Sequence, residues 1–353
     1  MADYSEKLQA LRGDFDKSGM LDLVMAFPAH MADAWERGKR FAGQLKTETP
    51  KKIIVFGMGG SAIGGDMVRS FLGDRLRVPL HVNRAYDVPA SFREDALFVF
   101  SSYSGNTGET LSAYDAVRDA GMPAVAITSG GELEKRCERD SIPVCKIPGG
   151  MPPRSAIAYS FFPLLCTLDA MGIAQVEDAE FTEAREALTD LCAGYGPDSP
   201  ENEAAELAHR LEGKLPFVYS CGGIFDAVAR RWSCQINENG KSLAHFATFS
   251  ELNHNEIVGW KALESMRRDI VVISLEDEED HQMALKQADI ALEIIGPLSG
   301  GIIRIPSVVG GRMKRILSAM ILGDFASVYL AYLNGVDPTP VTNIDFLKDR
   351  LKK

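Results

Sequence analysis

Cysteine is scarce in this sequence and never paired. The six residues, at 137, 145, 166, 192, 221 and 234, form no CxxC and no zinc-ligand spacing. Several sit in apolar runs, as Cys166 does in PLLCTL, and read as reduced core residues of a cytoplasmic protein. Positive charge is also short: 38 Lys and Arg against 49 Asp and Glu leave a net charge of −11. That balance argues against nucleic acid or an anionic membrane as the main partner. A small anionic ligand remains open, because backbone dipoles bind anions inside acidic proteins. No Lys follows the glycine clusters as GxxxxGK[ST] demands, and no HExxH or paired-His spacing occurs. No nucleotide P-loop, metal site or cofactor is therefore expected. The opening MADYSEKLQA is acidic and helix-like, unlike a signal peptide. The most apolar stretch, ILSAMILGDFASVYLAYL, contains Asp324 and reads as a buried helix rather than a membrane span.

What is present is a globular composition, 46% hydrophobic and 25% charged, over 353 residues, enough for two domains. Residues 1 to about 47 read as helices. From Lys52 short apolar runs alternate with amphipathic segments: KIIVF, LHV, LFVFS, PAVAIT and PVCKI, with helices expected near 61–72 and 108–120. That alternation implies a parallel, doubly wound α/β sheet flanked by helices. A helical stretch covers roughly 154–192, and AGYGPDSPEN at 193–202 reads as a linker. Strand-like runs then resume as PFVYS, DIVVISL and GIIRI, followed by a long helix near 312–334. The expected domains are 1–192 and 193–353, two copies of one α/β plan.

Two loops stand out in the first domain. The first strand ends in GMGGSAIGGD and the third in SSYSGNTGET, each opening a helix. Glycine lets backbone approach a ligand closely, and a helix N-terminus attracts an anion. Open parallel sheets bind ligands at the carboxyl ends of their strands. Gly59, Gly60, Ser61, Ser102, Ser104 and Thr107 are thus candidate phosphate ligands, with the dipole replacing a lysine. GMGGSAIGGD does not meet GxGxxG, since Gly57 and Gly59 are followed by Ala62. The competing view is a pair of ordinary turns with Ser caps. Asp66 and Glu109 are expected in the first helical turns, facing away from the anion. The second domain has no loop as rich in hydroxyls, so no second phosphate site is expected.

These two loops resemble the sugar-isomerase (SIS) domain, a flavodoxin-like fold that binds phosphosugars. With PRSAIAYS between the domains and NENGK and ELNHNE beyond, the whole chain resembles the bifunctional phosphoglucose/phosphomannose isomerases of archaea and bacteria. The resemblance implies two SIS domains, a phosphosugar substrate, no cofactor and metal-free proton transfer through an enediolate.

It also implies roles. Glu238 matches the family's base. The residues themselves put it near the end of a helix bearing Phe225, Val228, Trp232 and Ile236 on one face, with Gly240 as cap. A carboxylate there faces the negative dipole end, a position that stability alone disfavours. An exposed terminal Glu is the plainer view. His254, in ELNHNE, matches the family's ring-opening histidine, which comes from the partner subunit, so a homodimer is implied. On its own it reads equally as a solvated loop residue, and His245 is a weaker competitor. Arg154 would stabilise the oxyanion, because a guanidinium stays charged and can reach O1 and O2 together; otherwise it is a helix-start arginine. Lys348 matches the family's C-terminal lysine, although Lys352 and Lys353 lie close by. Thr339 and Thr342 are both in the region tied to tolerance of the mannose epimer. Two rival functions remain: a non-catalytic phosphosugar sensor, and an SIS enzyme that aminates or deaminates an amino-sugar phosphate.

Overall fold

The computed structural model describes residues 4–45, 49–262 and 264–351. The chain packs as two compact units, one of Ala26–Glu186 with Gly311–Met313, the other of Met1–Met25, Ala187–Gly310 and Lys314–Lys353.

The first unit is built on five strands: β1 (Lys52–Phe56), β2 (Leu80–Asn83), β3 (Ala96–Ser101), β4 (Ala124–Thr128) and β5 (Val144–Lys146). Their order is β2-β1-β3-β4-β5 and every pairing is parallel. This is the flavodoxin-like order. β1, β3 and β4 are buried almost throughout, as helix-covered parallel strands must be. Phe56, Phe98, Phe100 and Tyr114 fill one face.

The second unit carries β6 (Leu215–Ser220), β7 (His245–Thr248), β8 (Ile270–Glu276) and β9 (Gly301–Pro306). All pairings are parallel in the order β7-β6-β8-β9, the first four positions of the same plan. β7 was not expected from sequence. It is an edge strand, exposed to half-exposed along its length, so HFAT shows no continuous apolar run. The Arg312–Leu333 helix is long and apolar enough to cross a membrane, yet 94% of its most apolar window is buried inside the protein. Within it Asp324 receives two hydrogen bonds from Arg231, at 3.0 and 2.6 Å, and one from Gln235 at 3.0 Å. The charge is thereby neutralised inside the core.

The division departs from the expected 1–192 and 193–353. Residues 4–25 and 187–192 belong with the second sheet. Leu8 is buried there, the Tyr4 ring stacks on His209 at 4.4 Å, and the Tyr332 hydroxyl donates to Asp16 at 2.8 Å. Chain order alone does not reveal which sheet a leading helix docks on.

Candidate active site

In the first unit, both glycine–hydroxyl loops emerge at the carboxyl edge of the sheet. The helix after β1 spans Gly59–Leu72, so it begins two residues before Ser61. Gly59 is exposed with φ +51°, and the extended Met58 precedes it. The amides of Gly59 and Gly60 open its first turn, where N–H groups have no intrahelical acceptor, whereas the Ser61 amide bonds back to the Met58 carbonyl at 3.1 Å. Ser61 is buried, and its hydroxyl accepts from the Tyr103 amide at 3.2 Å.

The helix after β3 spans Gly108–Val117, with Thr107 as N-cap. Neither helix has a side-chain cap, so ordinary capping does not account for these hydroxyls. Ser102 is buried, its hydroxyl 2.9 Å from that of Thr107. Thr107 is half-buried and Ser104 exposed. The Ser104 hydroxyl accepts from the Asn106 amide at 3.2 Å, leaving its own proton for another acceptor.

A third turn, after β4, braces this loop. Ser129 donates to the Tyr103 carbonyl through its amide at 3.0 Å and its hydroxyl at 2.6 Å. Gly105, at φ +67°, sits so close to the turn that a Cβ would lie 1.7 Å from the Gly130 carbonyl oxygen. The visible signal was TSGGE directly after the fourth strand.

Arg154 joins the same edge. It is 4% exposed and sits in the Pro153–Ser155 turn. That turn packs against the first loop: a Cβ on Gly60 would lie 2.5 Å from the Pro153 carbonyl oxygen and 3.5 Å from the Arg154 Cα. Gly59, Gly60, Ser61, Ser102, Ser104, Thr107 and Arg154 are therefore brought together in one unit. Asp66 is a correction. It lies beyond the first turn and is buried in ion pairs with Arg84 and, at 3.5 Å, Arg69.

The second unit carries the remaining candidates. Glu238 is the last residue of the Asp226–Glu238 helix and is half-buried. The helix is fixed by Arg231 on Asp324, two turns before Glu238, and by Trp232, whose indole N–H donates to the Ala319 carbonyl at 2.9 Å. Gly240 is not the expected left-handed cap. Lys241 takes the positive φ, +52°, and its ammonium donates to the carbonyls of Glu238 and Pro338. Gly240 is needed for space, since a Cβ would lie 2.9 Å from the Ile236 carbonyl oxygen.

His254 is exposed on the turn after Phe249–Leu252. The flanking carboxylates are engaged elsewhere: Glu251 accepts from Asn255 at 2.7 Å, and Glu256 accepts from the Tyr219 hydroxyl and lies 3.0 Å from His245 Nε2. Burial pushes the Glu256 carboxyl upward, but the bonds to His245 and Tyr219 outweigh it and hold the pKa below the usual value. His245 is thus committed to a carboxylate. Lys348 lies on the Thr342–Leu351 helix, none of whose residues is buried. Thr339 is half-buried and Thr342 exposed. Lys352 and Lys353 lie outside the described residues.

The second sheet's equivalent of the hydroxyl loop is Asp277 to Asp280, after β8. Arg315, 3% exposed, donates to Asp277 at 2.9 Å and to Glu279 at 2.5 Å. Burial holds the Asp280 carboxyl up at about 6, outweighing the Asp277 amide that donates to it. Carboxylates around one fully paired arginine repel an added anion.

A glycine–hydroxyl cradle on one flavodoxin-like sheet, with a second sheet of the same order, defines a tandem SIS-domain protein. Comparison agrees: the profile described as "Bacterial phospho-glucose isomerase C-terminal SIS domain" matches residues 200–351. The bifunctional phosphoglucose/phosphomannose isomerase of Caldicellulosiruptor bescii is 41% identical over 94% of this chain and 98% of its own length. That of Aquifex aeolicus is 35% identical over 87% and 93%. The chain belongs to the bifunctional phosphoglucose/phosphomannose isomerase family. Among solved structures, a hypothetical protein from Thermus thermophilus shares the fold with a TM-score of 0.75, at 16% identity, covering 98% of this chain and 94% of its own.

Proposed function

We propose that the protein is a cytoplasmic aldose–ketose isomerase that interconverts glucose 6-phosphate, mannose 6-phosphate and fructose 6-phosphate. The observation that carries this reading is the uncapped hydroxyl loop at 101–107, presenting Ser104 and Thr107 at a helix N-terminus in a chain of this family. Amides and hydroxyls there hold the substrate phosphate, and the helix dipole supplies the positive potential.

Glu238 removes the C2 proton of the open-chain aldose. The C–H electrons form the C1=C2 bond, and the aldehyde oxygen takes negative charge. Arg154 stabilises that oxyanion, so the step is drawn without a metal. The protonated Glu238 then delivers its proton to C1 while the O2 proton passes to O1, so that O2 becomes the ketone oxygen and O1 the primary hydroxyl. The enediolate is planar at C2, so both aldose epimers share it. His254, supplied by a second copy in a homodimer, moves the ring-opening proton, and Lys348 assists it.

Glu238→Gln tests the assignment. The variant should keep its circular dichroism spectrum and lose both isomerase activities by at least about a hundredfold. Near wild-type turnover refutes the base. Wild-type protein that binds fructose 6-phosphate without turnover would be a sensor, and ammonia release from glucosamine 6-phosphate would mark the amino-sugar branch.

A further inference from the structure

Tyr103 stands between the candidate ligands Ser102 and Ser104 and is 9% exposed. Three of its groups reach three different segments. Its amide donates to the Ser61 hydroxyl at 3.2 Å, joining the two glycine–hydroxyl loops. Its carbonyl accepts from Ser129 at 3.0 and 2.6 Å, joining the brace. Its phenolic oxygen accepts from the Met151 amide at 2.9 Å, joining the strap that leads to Arg154.

The strap is asymmetric in stiffness. On its N-terminal side stand Gly149 and Gly150, the latter at φ +90°, where backbone pivots freely. From Met151 onward Pro152 and Pro153 fix φ, the Ser155 amide and hydroxyl both bond to the Pro152 carbonyl at 3.0 and 2.9 Å, and the Ile157–Ala170 helix follows. Arg154 therefore rides on a stiff turn whose glycine-flanked N-terminal end is held to the loop at Met151 by the Tyr103 phenol. Burial raises the Tyr103 pKa, so the pin stays a neutral hydroxyl at physiological pH.

We propose that Tyr103 is a positioning residue, holding the Arg154 guanidinium in register with the phosphate loops through its bond to the Met151 amide. The inference rests on the isomerase reading above. It links two events: phosphate docking on the 101–107 loop and placement of the positive group near the reacting carbons.

The test is Tyr103→Phe, which keeps the ring and removes the acceptor. The backbone groups of residue 103 remain, so the dissociation constants for inorganic phosphate and fructose 6-phosphate should change less than about twofold, while kcat falls about tenfold, equivalent to about 1.4 kcal/mol. Because the effect passes through Arg154, the same change in an Arg154→Lys background should cost less than about twofold further. The amide of Met151 should exchange its hydrogen faster in Tyr103→Phe, a readout independent of activity. Unchanged kcat, fully additive losses, weakened phosphate binding with kcat intact, or unchanged exchange at Met151 would each overturn the assignment. Absence of isomerase activity in the wild type would defeat the functional reading alone, and the exchange measurement would still decide the pin.

Discussion

Gly105→Ala offers a quantitative test of the cradle. The residue has φ +67°, which costs a non-glycine residue about 1–2 kcal/mol. The new Cβ would lie 1.7 Å from the Gly130 carbonyl oxygen, against an ordinary carbon–oxygen contact of about 3.3 Å. The loop and its brace must separate by about 1.6 Å, the difference between those two distances. That movement breaks the Leu133 amide bond to Gly105 at 2.9 Å and strains the bonds from Ser129 to Tyr103 and from Glu132 to Asn106. With about 1 kcal/mol net for the broken bond and up to as much for each of the strained ones, added to the backbone cost, the total loss is about 2–6 kcal/mol. Ser104 and Thr107 move with the loop. Two hydrogen bonds to a charged phosphate are worth about 3–6 kcal/mol, so affinity should fall at least about a hundredfold. Calorimetric titration with fructose 6-phosphate and urea unfolding measure the two effects. Gly172→Ala is the control: it has φ +64° with nothing within 4 Å of a Cβ, so it should lose only the strain and leave binding unchanged. Gly105→Ala binding within about threefold of wild type, or equal losses in the two variants, would refute the reasoning.

Other expectations concern the second unit. The Asp280 carboxyl is held up at about 6 against 3.8 for an ordinary aspartate, so the fold retains a proton that the unfolded chain releases. Its stabilising contribution is full below about pH 4 and is lost as pH rises through about 6. Asp280→Asn should therefore be more stable than wild type at pH 7.5 by about 1–3 kcal/mol in urea unfolding, with the gain vanishing near pH 4. A pH-independent difference would count against it. Arg231→Met leaves the buried Asp324 carboxylate without its guanidinium and should cost about 3–5 kcal/mol. Adding Asp324→Leu should recover most of that loss, and a double variant no better than the single would contradict the pairing.

Much of the fold was legible because β1, β3, β4, β6 and β8 are continuous apolar runs, the mark of strands covered on both faces. β7 was not, because an edge strand with His245 exposed carries no such run. The docking of residues 4–25 on the second sheet depends on contacts such as Tyr332 to Asp16, separated by most of the chain. The loops at 57–66 and 101–110 announced themselves through glycine and serine. The brace at Ser129–Gly131 was equally visible as letters, but its meaning lies in a non-local approach. Glu238 fell where helical periodicity placed it, whereas Gly240 and Lys241 exchanged roles: Lys241 takes the left-handed conformation and Gly240 fills a space too tight for a side chain. Asp66 read as a dipole partner because the helix was started two residues late. Lys348 belongs to an exposed helix without a buried stripe, so neither pattern nor packing within its unit singles it out.

The Asp277–Asp280 loop has a further consequence. By pairing with Arg315, it commits that guanidinium within the fold. A repeated architecture would ordinarily offer two berths per polypeptide. Here the carboxylates of Asp277 and Glu279 are spent on Arg315, so a second anion at this edge would have to displace an internal ion pair.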